Sequence, residues 1–313
     1  MFSALREKLE KLRGKVIFNA DMAKIVWFRT GGLADLLFEP EDEEDLAAFL
    51  NIIGAETPLQ IIGIGTNLLV RDGGIKGAVL RLGSKKFGEV KQISEEKIFS
   101  QCGATDKKLS LFAAEAGIGG FHFYSGIPGN LGGAIAMNAG ANNVETSQRV
   151  EMVRAMDRSG NIKEFTNEEM NFSYRSCGIA KQYIFLSAVL KGYKSSKQKI
   201  LDLIDIVLKH RNEAQPVREK TGGSTFKNLV NKSAWEAIAE AGCRGLCIGD
   251  ACMSEMHCNF MINKGAATAF ELEKLGELVR QRVFEHSNNF LEWEIQRIGN
   301  FVADKNVKNF SKK

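Results

Sequence analysis

The stretch that decides the fold of this chain is Gly126-Ile127-Pro128-Gly129-Asn130-Leu131-Gly132-Gly133-Ala134, which continues to Met137-Asn138-Ala139-Gly140-Ala141. It is rich in glycine, contains one proline and has no charged residue. Glycine disfavours a helix interior by about 1 kcal/mol, so the pattern predicts irregular backbone. Such a loop exposes backbone N–H groups that can bind the oxygens of a phosphate or pyrophosphate. A tight surface loop without a ligand is the alternative.

A second loop of the same kind is Ile62-Gly63-Ile64-Gly65-Thr66-Asn67-Leu68-Leu69-Val70, which follows a predicted strand at Leu59 to Ile62. Two such loops in one chain indicate a long ligand with two phosphates. The third glycine of the dinucleotide fingerprint is missing, since Leu68 takes its place, and no phosphate-binding lysine follows. The loop is therefore of neither the Rossmann nor the P-loop type, and Thr66 and Asn67 are its side-chain donors.

Length and composition predict a globular protein of two domains. The chain has 313 residues, of which 26% are charged and 44% hydrophobic, as in typical soluble proteins. A net charge of +4 does not indicate a nucleic-acid-binding protein, but it suits an anionic small molecule. The basic run from Lys305 to Lys313 reads as a solvated tail. No apolar window is long enough to span a membrane.

The N-terminus and the cysteines both bear on the compartment. Leu5, Leu9 and Leu12 lie at helical spacing among charged residues, which predicts an amphipathic helix over residues 1–16 and no signal peptide. We therefore expect a cytosolic protein. The cysteines are Cys102, Cys177, Cys243, Cys247, Cys252 and Cys258, the last four close to His257. Their gaps lack the paired spacing of zinc sites, so buried free thiols are favoured over a metal site and no metal is predicted.

The pattern along the chain is mixed α+β. Residues 150–156 and 162–165 predict a hairpin, and residues 25–30 a short strand. Thr166-Asn167-Glu168-Glu169, Ser233-Ala234-Trp235-Glu236 and Thr268-Ala269-Phe270-Glu271 are capping boxes that predict helix starts. A helical stripe begins at Ile200, and we place the domain boundary there.

Three stretches carry residues suited to chemistry. Arg175 lies in a polar-aromatic patch, where its planar fork suits a carboxylate or phosphate, although a plain surface arginine is the alternative. Ser224 lies in a glycine-hydroxyl run without a neighbouring histidine, so it suits proton relay or phosphate binding, or else ordinary turn chemistry. Residues 292–295 alternate, which places Glu292 and Glu294 on one face and Trp293 and Ile295 on the other. A half-exposed edge is the alternative there.

Together these stretches resemble the MurB family of UDP-N-acetylenolpyruvoylglucosamine reductases, in its shorter type, over residues 15 to 302. Each stretch is weak alone, but all occur in the family's order. They are Thr30-Gly31-Gly32, Gly63 to Asp72, Gly126 to Ala141, Asn171 to Ser176, Arg211 to Pro216, Gly222 to Asn228, His257 to Asn263 and Leu291 to Gly299.

The resemblance implies an α+β protein with an FAD-binding domain of the vanillyl-alcohol-oxidase/PCMH type, followed by a smaller α+β substrate-binding domain. We expect an N-terminal helix (1–16), the FAD-binding domain (17–198), the substrate-binding domain (199–302) and a basic tail (303–313). The family binds FAD non-covalently, takes hydride from NADPH and reduces an enolpyruvyl UDP-sugar in the cytosol. This step belongs to peptidoglycan synthesis and so to cell wall biogenesis, cell shape and cell division. A monomer without nucleic-acid or membrane partners is expected.

The family's functional residues fall on matching positions of this sequence. The catalytic arginine falls on Arg175, the serine proton donor on Ser224 and the assisting glutamate on Glu294. Substrate contacts fall on Tyr174, Lys227 and Asn228. The FAD contacts fall on the two glycine loops, at Gly63, Gly65, Thr66, Asn67, Leu68, Gly126, Ile127, Pro128, Gly129, Gly132, Gly133, Asn138, Ala139 and Gly140.

Two departures from the family pattern remove no catalytic group. Leu229 replaces a proline and Gln296 replaces a basic residue, which affects loop rigidity and local charge. Two other functions are compatible with the same loops. One is a flavin oxidase that uses O₂, which would form peroxide with NADPH in the absence of substrate. The other is a non-catalytic nucleotide-sugar-binding protein, which would be colourless.

Overall fold

The computed structural model describes residues 2–311 and alternates helices with short strands. Its α-helices are α1 (Arg6–Leu9), α2 (Glu43–Ile53), α3 (Asp106–Glu115), α4 (Leu131–Ala136), α5 (Lys197–Ala214), α6 (Ala234–Glu240) and α7 (Ala269–Ser287). Single 3₁₀ turns lie at Ser3–Leu5, Met22–Lys24, His122–Gly126 and Thr146–Gln148. The helical content is thus spread along the whole chain, as the mixed sequence pattern predicts.

The strands are short and numerous. They are β1 (Lys15–Asp21), β2 (Leu33–Glu39), β3 (Leu59–Ile62), β4 (Leu68–Val70), β5 (Ile75–Arg81), β6 (Val90–Gln92), β7 (Lys97–Gln101), β8 (Ile118–Gly119), β9 (Gly140–Ala141), β10 (Val144–Glu145), β11 (Val150–Met156), β12 (Ile162–Thr166), β13 (Phe172–Ser173), β14 (Ser176–Cys177), β15 (Ile184–Lys191), β16 (Tyr193–Lys194), β17 (Thr221–Ser224), β18 (Cys247–Ile248), β19 (Ala251–Met253), β20 (Phe260–Asn263) and β21 (Gln296–Ile298).

The chain forms two compact units that are interleaved in sequence. The first unit contains the chain up to Phe18, Leu36–Ile64 and Gly77–Arg211; the second contains Asn19–Asp35, Gly65–Lys76 and the chain from Asn212 onwards. The domains expected from the sequence, 17–198 and 199–302, were continuous segments. The units differ from them because two early segments belong to the second unit and α5 ends the first.

The first unit is built on antiparallel pairing. Five strands form a sheet of order β12-β11-β15-β7-β6, and the predicted hairpin is confirmed, with Met156 opposite Ile162. β3 pairs in parallel with β5, where Leu59 lies opposite Ala78. Two apolar clusters fill the unit. One lies around Phe121, Phe123 and Tyr124, and the other around Phe38, Phe49 and Phe87. Burial of these aromatic side chains gives the unit its hydrophobic stabilisation.

The second unit contains the four-stranded antiparallel sheet β17-β20-β19-β18 and the parallel pair β4–β21. Its core combines Phe28 and Leu69 from early in the chain with apolar side chains of α6 and α7. Both helices begin at the predicted capping boxes, where Ser233 and Thr268 form reciprocal bonds with Glu236 and Glu271. The early segments therefore belong to this unit through burial of their apolar side chains.

Four local predictions are wrong. The N-terminal helix ends at Leu9, and Lys15 already begins β1, because the Arg13 and Gly14 amides donate to the Asp45 carboxylate at 3.0 and 2.8 Å. Residues 25–30 form turns, not a strand, after the 3₁₀ turn Met22–Lys24. Residues 131–136 are helical, because Leu131, Ala134 and Ile135 bury one face. The Thr166–Glu169 box forms its bonds but closes only a turn.

The cysteine and tail predictions are also corrected in part. Cys102, Cys177, Cys243 and Cys258 are buried free thiols as predicted, but Cys247 and Cys252 form a disulfide. These two residues lie directly opposite each other on β18 and β19, with Cα atoms 4.1 Å apart. The tail is not wholly solvated, since the Phe310 amide donates to Glu277 at 2.7 Å. Lys312 and Lys313 lie outside the described residues.

Among residues 2–311, two features are absent, one related to membranes and one to metals. No helix there combines the length and the apolar character that a bilayer crossing requires. That part of the chain also brings together no group of three or more His, Cys, Asp or Glu side chains able to hold a metal ion.

Candidate active site

The second glycine loop, defined as Gly126–Gly140, is held against the start of α3. The Asp106 amide donates to the Gly129 carbonyl at 3.1 Å, and the Leu131 and Gly132 amides donate to Ala104 and Cys102 at 2.9 and 2.8 Å. A Cβ on Gly132 would lie 3.2 Å from Cys102, so the glycine permits this close approach. The loop is therefore fixed to residues 102–106 by backbone hydrogen bonds.

The first glycine loop, defined as Ile62–Val70, meets the second within the first unit. A Cβ on Gly63 would lie only 2.2 Å from Asn130 Oδ1, so the absence of a side chain at Gly63 lets the Asn130 side chain pack against its backbone. Within residues 2–311, the N–H groups of Gly129 and Asn130 donate no hydrogen bond to the protein. Free amides beside two converging glycine loops form the kind of concave surface that binds a pyrophosphate. The residues present therefore fit FAD.

A buried carboxyl lies beneath the second glycine loop. Asp106 has no exposed surface, and neither of its oxygens has a hydrogen-bond partner among the described residues. A Cβ on Gly129 would lie 2.5 Å from its Oδ2. Burial raises the pKa of Asp106 well above its usual range. This burial could not be predicted from the sequence, because it depends on the loop that covers the carboxyl.

The remainder of the first glycine loop belongs to the second unit, where it adjoins the segment that carries Glu294 just before β21. Asn67 Nδ2 donates to the Glu294 carbonyl at 3.1 Å, and the Gln296 amide donates to the Asn67 carbonyl at 3.0 Å. β4 then pairs in parallel with β21, with Leu68 opposite Gln296. Gly65 is fixed by the Trp27 amide, which donates to its carbonyl at 3.0 Å. The Thr66-Asn67-Leu68 segment is thus fixed to the Glu294 carbonyl through the Asn67 side chain and to Gln296 through the backbone.

Ser224 and Glu294 are brought together in the second unit. Ser224 ends β17, and the Glu294 amide donates to the carbonyl of the next residue, Thr225, at 2.9 Å. The Asn259 side chain binds the Phe226 backbone in both directions, accepting from its amide at 3.0 Å and donating to its carbonyl at 2.9 Å. From the sequence, Asn259 was recognised only as a member of the motif His257 to Asn263. Its role in fixing the Phe226 backbone depends on contacts 33 positions apart and could not be predicted.

The two predicted substrate contacts beside Ser224 have partners within the protein. Lys227 donates its amide to the Glu292 carbonyl at 2.8 Å, and its Nζ lies 3.4 Å from Glu292 Oε2. Asn228 Oδ1 accepts from the Ala234 amide at 3.0 Å, at the start of α6. The Lys227 side chain is about a quarter exposed (27%) and its ion pair is with an exposed carboxylate, so Lys227 can exchange Glu292 for a ligand anion.

Trp293 fixes the segment between the two glutamates. Its ring packs on Phe226 at 5.1 Å, and its Nε1 donates to Glu277 Oε1 at 2.7 Å. Ile295 is buried and Glu292 is exposed, in agreement with the predicted facing, while Trp293 and Glu294 are both partly buried. The segment is a single bridge between Trp293 and Phe226, not a continuous strand.

An ion network that the sequence did not reveal connects these parts of the second unit. Arg71, just after β4, binds both oxygens of Glu273 at 2.9 Å. Arg297 on β21 lies 3.0 Å from both Glu273 and Glu277. Glu273 is fully buried, and a buried carboxylate with bidentate arginine partners is costly to disturb. The network fixes β4, β21 and α7 to one another.

Arg175 lies at the end of the second glycine loop in the first unit. Its Nη2 donates to the Gly140 carbonyl at 3.2 Å, and its guanidinium carbon lies 4.9 Å from the centre of the Tyr174 ring. Its backbone is left-handed, with φ of 54°, which is uncommon for a residue with a side chain and frequent at functional sites. Tyr174 is 46% exposed. The structure therefore brings Arg175 and the predicted FAD contacts at Asn138, Ala139 and Gly140 together.

The predicted site residues are divided between the units. Gly63, the second glycine loop, Tyr174 and Arg175 belong to the first unit. Gly65 to Leu68, Ser224, Lys227, Asn228 and Glu294 belong to the second.

Comparison with known proteins identifies both parts of the chain. Residues 34–166 match the FAD binding domain family, and residues 215–298 match the family of UDP-N-acetylenolpyruvoylglucosamine reductase C-terminal domains. The crystal structure of the UDP-N-acetylenolpyruvylglucosamine reductase MurB from Thermus caldophilus is similar, with 31% identity and a TM-score of 0.77. The match covers 91% of this chain and 98% of that one.

A second solved structure is much less similar. It is the BBE-like 1 protein of Physcomitrella patens, with 13% identity and a TM-score of 0.47, covering 61% of this chain and 44% of that one. That likeness is too low to carry an inference. The family matches and the Thermus structure confirm an α+β fold with an FAD-binding domain and a reductase C-terminal domain. The chain therefore belongs to the MurB family of FAD-dependent UDP-N-acetylenolpyruvoylglucosamine reductases.

Proposed function

We propose that this chain uses NADPH and FAD to reduce UDP-N-acetylenolpyruvoylglucosamine to UDP-N-acetylmuramate. The observation that carries the proposal is the anchoring of Arg175 to the carbonyl of Gly140, the last residue of the second glycine loop. It places a fixed guanidinium beside the surface that fits FAD. Membership of the reductase family supports the same reaction.

The two glycine loops would hold FAD non-covalently, and this cofactor, once reduced by NADPH, would supply the hydride for C3 of the enolpyruvyl group. The chain's own task is then to manage the charge at C2, which lies beside a carboxylate. Arg175 would bind that carboxylate and favour its enolate-like form, because a planar guanidinium can donate two parallel hydrogen bonds. Its left-handed backbone and its bond to Gly140 hold the side chain before substrate arrives.

A proton must finally reach C2, and Ser224 is the proposed donor. Its hydroxyl is partly exposed at the end of β17, where the backbone is fixed by the Thr225–Glu294 bond. Glu294 would supply or buffer the proton that Ser224 passes on. Tyr174, Lys227 and Asn228 are proposed to bind the UDP-sugar, with Lys227 exchanging its exposed Glu292 partner for a phosphate.

The cellular setting is proposed from the family. The chain would act in the cytosol, as a monomer, in the synthesis of peptidoglycan precursors, and so contribute to cell shape and division. Its domains are proposed to be an FAD-binding part and a substrate-binding part, the second of which corresponds to the matched residues 215–298.

The experiment that tests the proposal replaces Ser224 with alanine and separates the two half-reactions by stopped flow. Reduction of the bound flavin by NADPH is expected to stay close to that of the wild type. Reoxidation by the enolpyruvyl substrate is expected to slow by about 10²–10⁴, the usual contribution of a positioned acid.

Ser159→Ala is the matched control, since Ser159 is exposed in the turn between β11 and β12, far from any proposed site residue in sequence. It is expected to change neither half-reaction. A wild-type enzyme whose reduced flavin is not reoxidised by the enolpyruvyl substrate would contradict the proposed function. Equal slowing of both half-reactions by Ser224→Ala would show that Ser224 shapes the flavin site instead.

A further inference from the structure

A two-residue turn places a carboxylate beside Arg175. Asn142 and Asn143 both have left-handed backbone, with φ of 53° and 63°, as a type I′ turn requires, and asparagine is favoured there. The turn joins β9 to β10, so that Glu145 lies directly opposite Gly140. Gly140 is the residue whose carbonyl binds Arg175. The register of this hairpin therefore brings Glu145 to the guanidinium.

The two carboxylate oxygens of Glu145 have different partners. Oε1 lies 3.8 Å from Arg175 Nη1, and Oε2 accepts a hydrogen bond from Asn138 Nδ2 at 2.9 Å. The side chain of Arg175 is only 18% exposed and that of Glu145 32% exposed, so solvent screens the pair less than at an open surface. Glu145 thus connects the arginine to the second glycine loop.

Asn138 is fixed from every side. It is 1% exposed and has left-handed backbone, with φ of 41°. Its Nδ2 donates to Glu145 and, at 3.0 Å, to the Ser173 carbonyl, and its Oδ1 accepts from the Ser147 amide at 2.9 Å. Ser173 precedes Tyr174 and Arg175 on the chain. A rigid amide therefore holds both Glu145 and the strand that leads into the arginine.

We propose that Glu145 is a positioning residue that sets the orientation of the Arg175 guanidinium relative to the second glycine loop. The inference rests on the proposed function, in which Arg175 binds the substrate carboxylate. The Gly140 carbonyl accepts a hydrogen bond from Nη2 at 3.2 Å, and the charge of the Glu145 carboxylate attracts Nη1 across 3.8 Å, so two oxygens on one side favour one plane of the guanidinium. A plane that is set in advance is what a bidentate contact needs.

Glu145→Gln is the informative variant because the amide keeps the size and loses one acceptor. The glutamine amide can be oriented in two ways. In one, its NH₂ group faces the NH₂ group of Asn138 and that hydrogen bond is lost; in the other, it faces the Arg175 guanidinium and that attraction is lost. We expect reoxidation by the enolpyruvyl substrate to slow roughly 10- to 100-fold, as for a small misplacement of a catalytic group. Flavin reduction by NADPH is expected to remain within about twofold of the wild type, since Glu145 is proposed to act only through Arg175.

Equilibrium binding provides a readout that is independent of turnover. Calorimetry with UDP-N-acetylmuramate is expected to give about a tenfold larger Kd for Glu145→Gln. Glu145→Asp keeps the charge but is too short to span Asn138 and Arg175, so we expect a similar loss. Glu115→Gln is the control, because Glu115 forms an exposed ion pair with Lys197 at 2.6 Å in the same unit. It is expected to match the wild type in every measurement.

A double variant decides whether Glu145 acts through Arg175. In an Arg175→Ala background, Glu145→Gln is expected to cause no further loss, since the group it positions is gone. An equal further loss there would overturn the proposal, as would a Glu145→Gln enzyme that matches Glu115→Gln. Failure of the proposed function is separate, because it would appear in the wild-type chain as failure of the enolpyruvyl substrate to reoxidise the flavin.

Discussion

Replacement of Gly63 by alanine tests whether the two glycine loops act as one surface. The new Cβ would lie 2.2 Å from Asn130 Oδ1 and 3.1 Å from its Cγ. An uncompressed contact needs about 3.5 Å, so the Asn130 side chain must retreat by roughly 1 Å. Asn130 is 3% exposed and has little room to do so. Such overpacking costs about 1–3 kcal/mol. The smaller unfolded-state entropy of alanine offsets roughly 0.4–1 kcal/mol of this.

We therefore expect Gly63→Ala to lose about 1–2 kcal/mol of stability, seen as a melting temperature lower by roughly 2–6 °C. FAD affinity, measured by recovery of flavin fluorescence on dilution, is expected to fall about tenfold if the same energy is lost on binding. Gly83→Ala is the control, since a Cβ there meets nothing within 4 Å.

The second substitution Asn130→Ala removes the clashing atoms from the Gly63→Ala protein. The two substitutions should then be coupled by about 1 kcal/mol or more, so that the double variant is more stable than the sum of the single effects predicts. Additive losses, or a Gly63→Ala protein that matches Gly83→Ala in melting temperature and FAD affinity, would refute the contact between the loops.

Two further predictions concern charge. Arg175→Lys is expected to slow substrate turnover at least tenfold. A single ammonium group cannot contact the Gly140 carbonyl, Glu145 and a substrate carboxylate at the same time, as a planar guanidinium can. Turnover within about twofold of wild type would contradict this. Asp106→Asn is expected to stabilise the protein at neutral pH, because the amide has no ionised form that favours the unfolded chain. The pKa of Asp106 is raised on folding, so its stabilising effect is complete below the usual value of 3.8 and is lost as pH rises towards the folded pKa. Melting temperatures of variant and wild type should diverge from about pH 4 upwards, and parallel curves would be the contrary result.

Features with a local physical cause could be predicted from the sequence. The capping boxes at Ser233 and Thr268 start helices because the bonds they form lie within four residues. The β11–β12 hairpin follows from alternating apolar residues around a Ser-Gly-Asn turn. The glycine loops were recognisable because glycine clusters disfavour regular structure. The Thr166 box failed although its bonds formed, since no apolar face follows to bury a helix there.

Features that depend on distant residues could not be predicted. The N-terminal helix stops early because Asp45 binds the Arg13 and Gly14 amides. Glu145 had no recognisable role until the hairpin register placed it opposite Gly140. The burial of Asp106, which raises its pKa, depends on the loop that covers it. For the candidate site, the residue types and their motifs could be predicted from the sequence, but their hydrogen-bond and ion-pair partners could not.

The parallel pairing of β4 with β21 has a consequence for synthesis on the ribosome. Residues 68–70 emerge early, but their partner strand, residues 296–298, emerges only after the long stretch of chain between them has been made. The hydrogen bond from Asn67 to the Glu294 carbonyl likewise cannot form until the chain is 227 positions longer. Contacts of such long sequence separation form slowly, since a long loop must close first. The first glycine loop therefore reaches its final form only after residue 298 has been made. A fragment cut at residue 198 would contain both loops but lack the strand that fixes one of them.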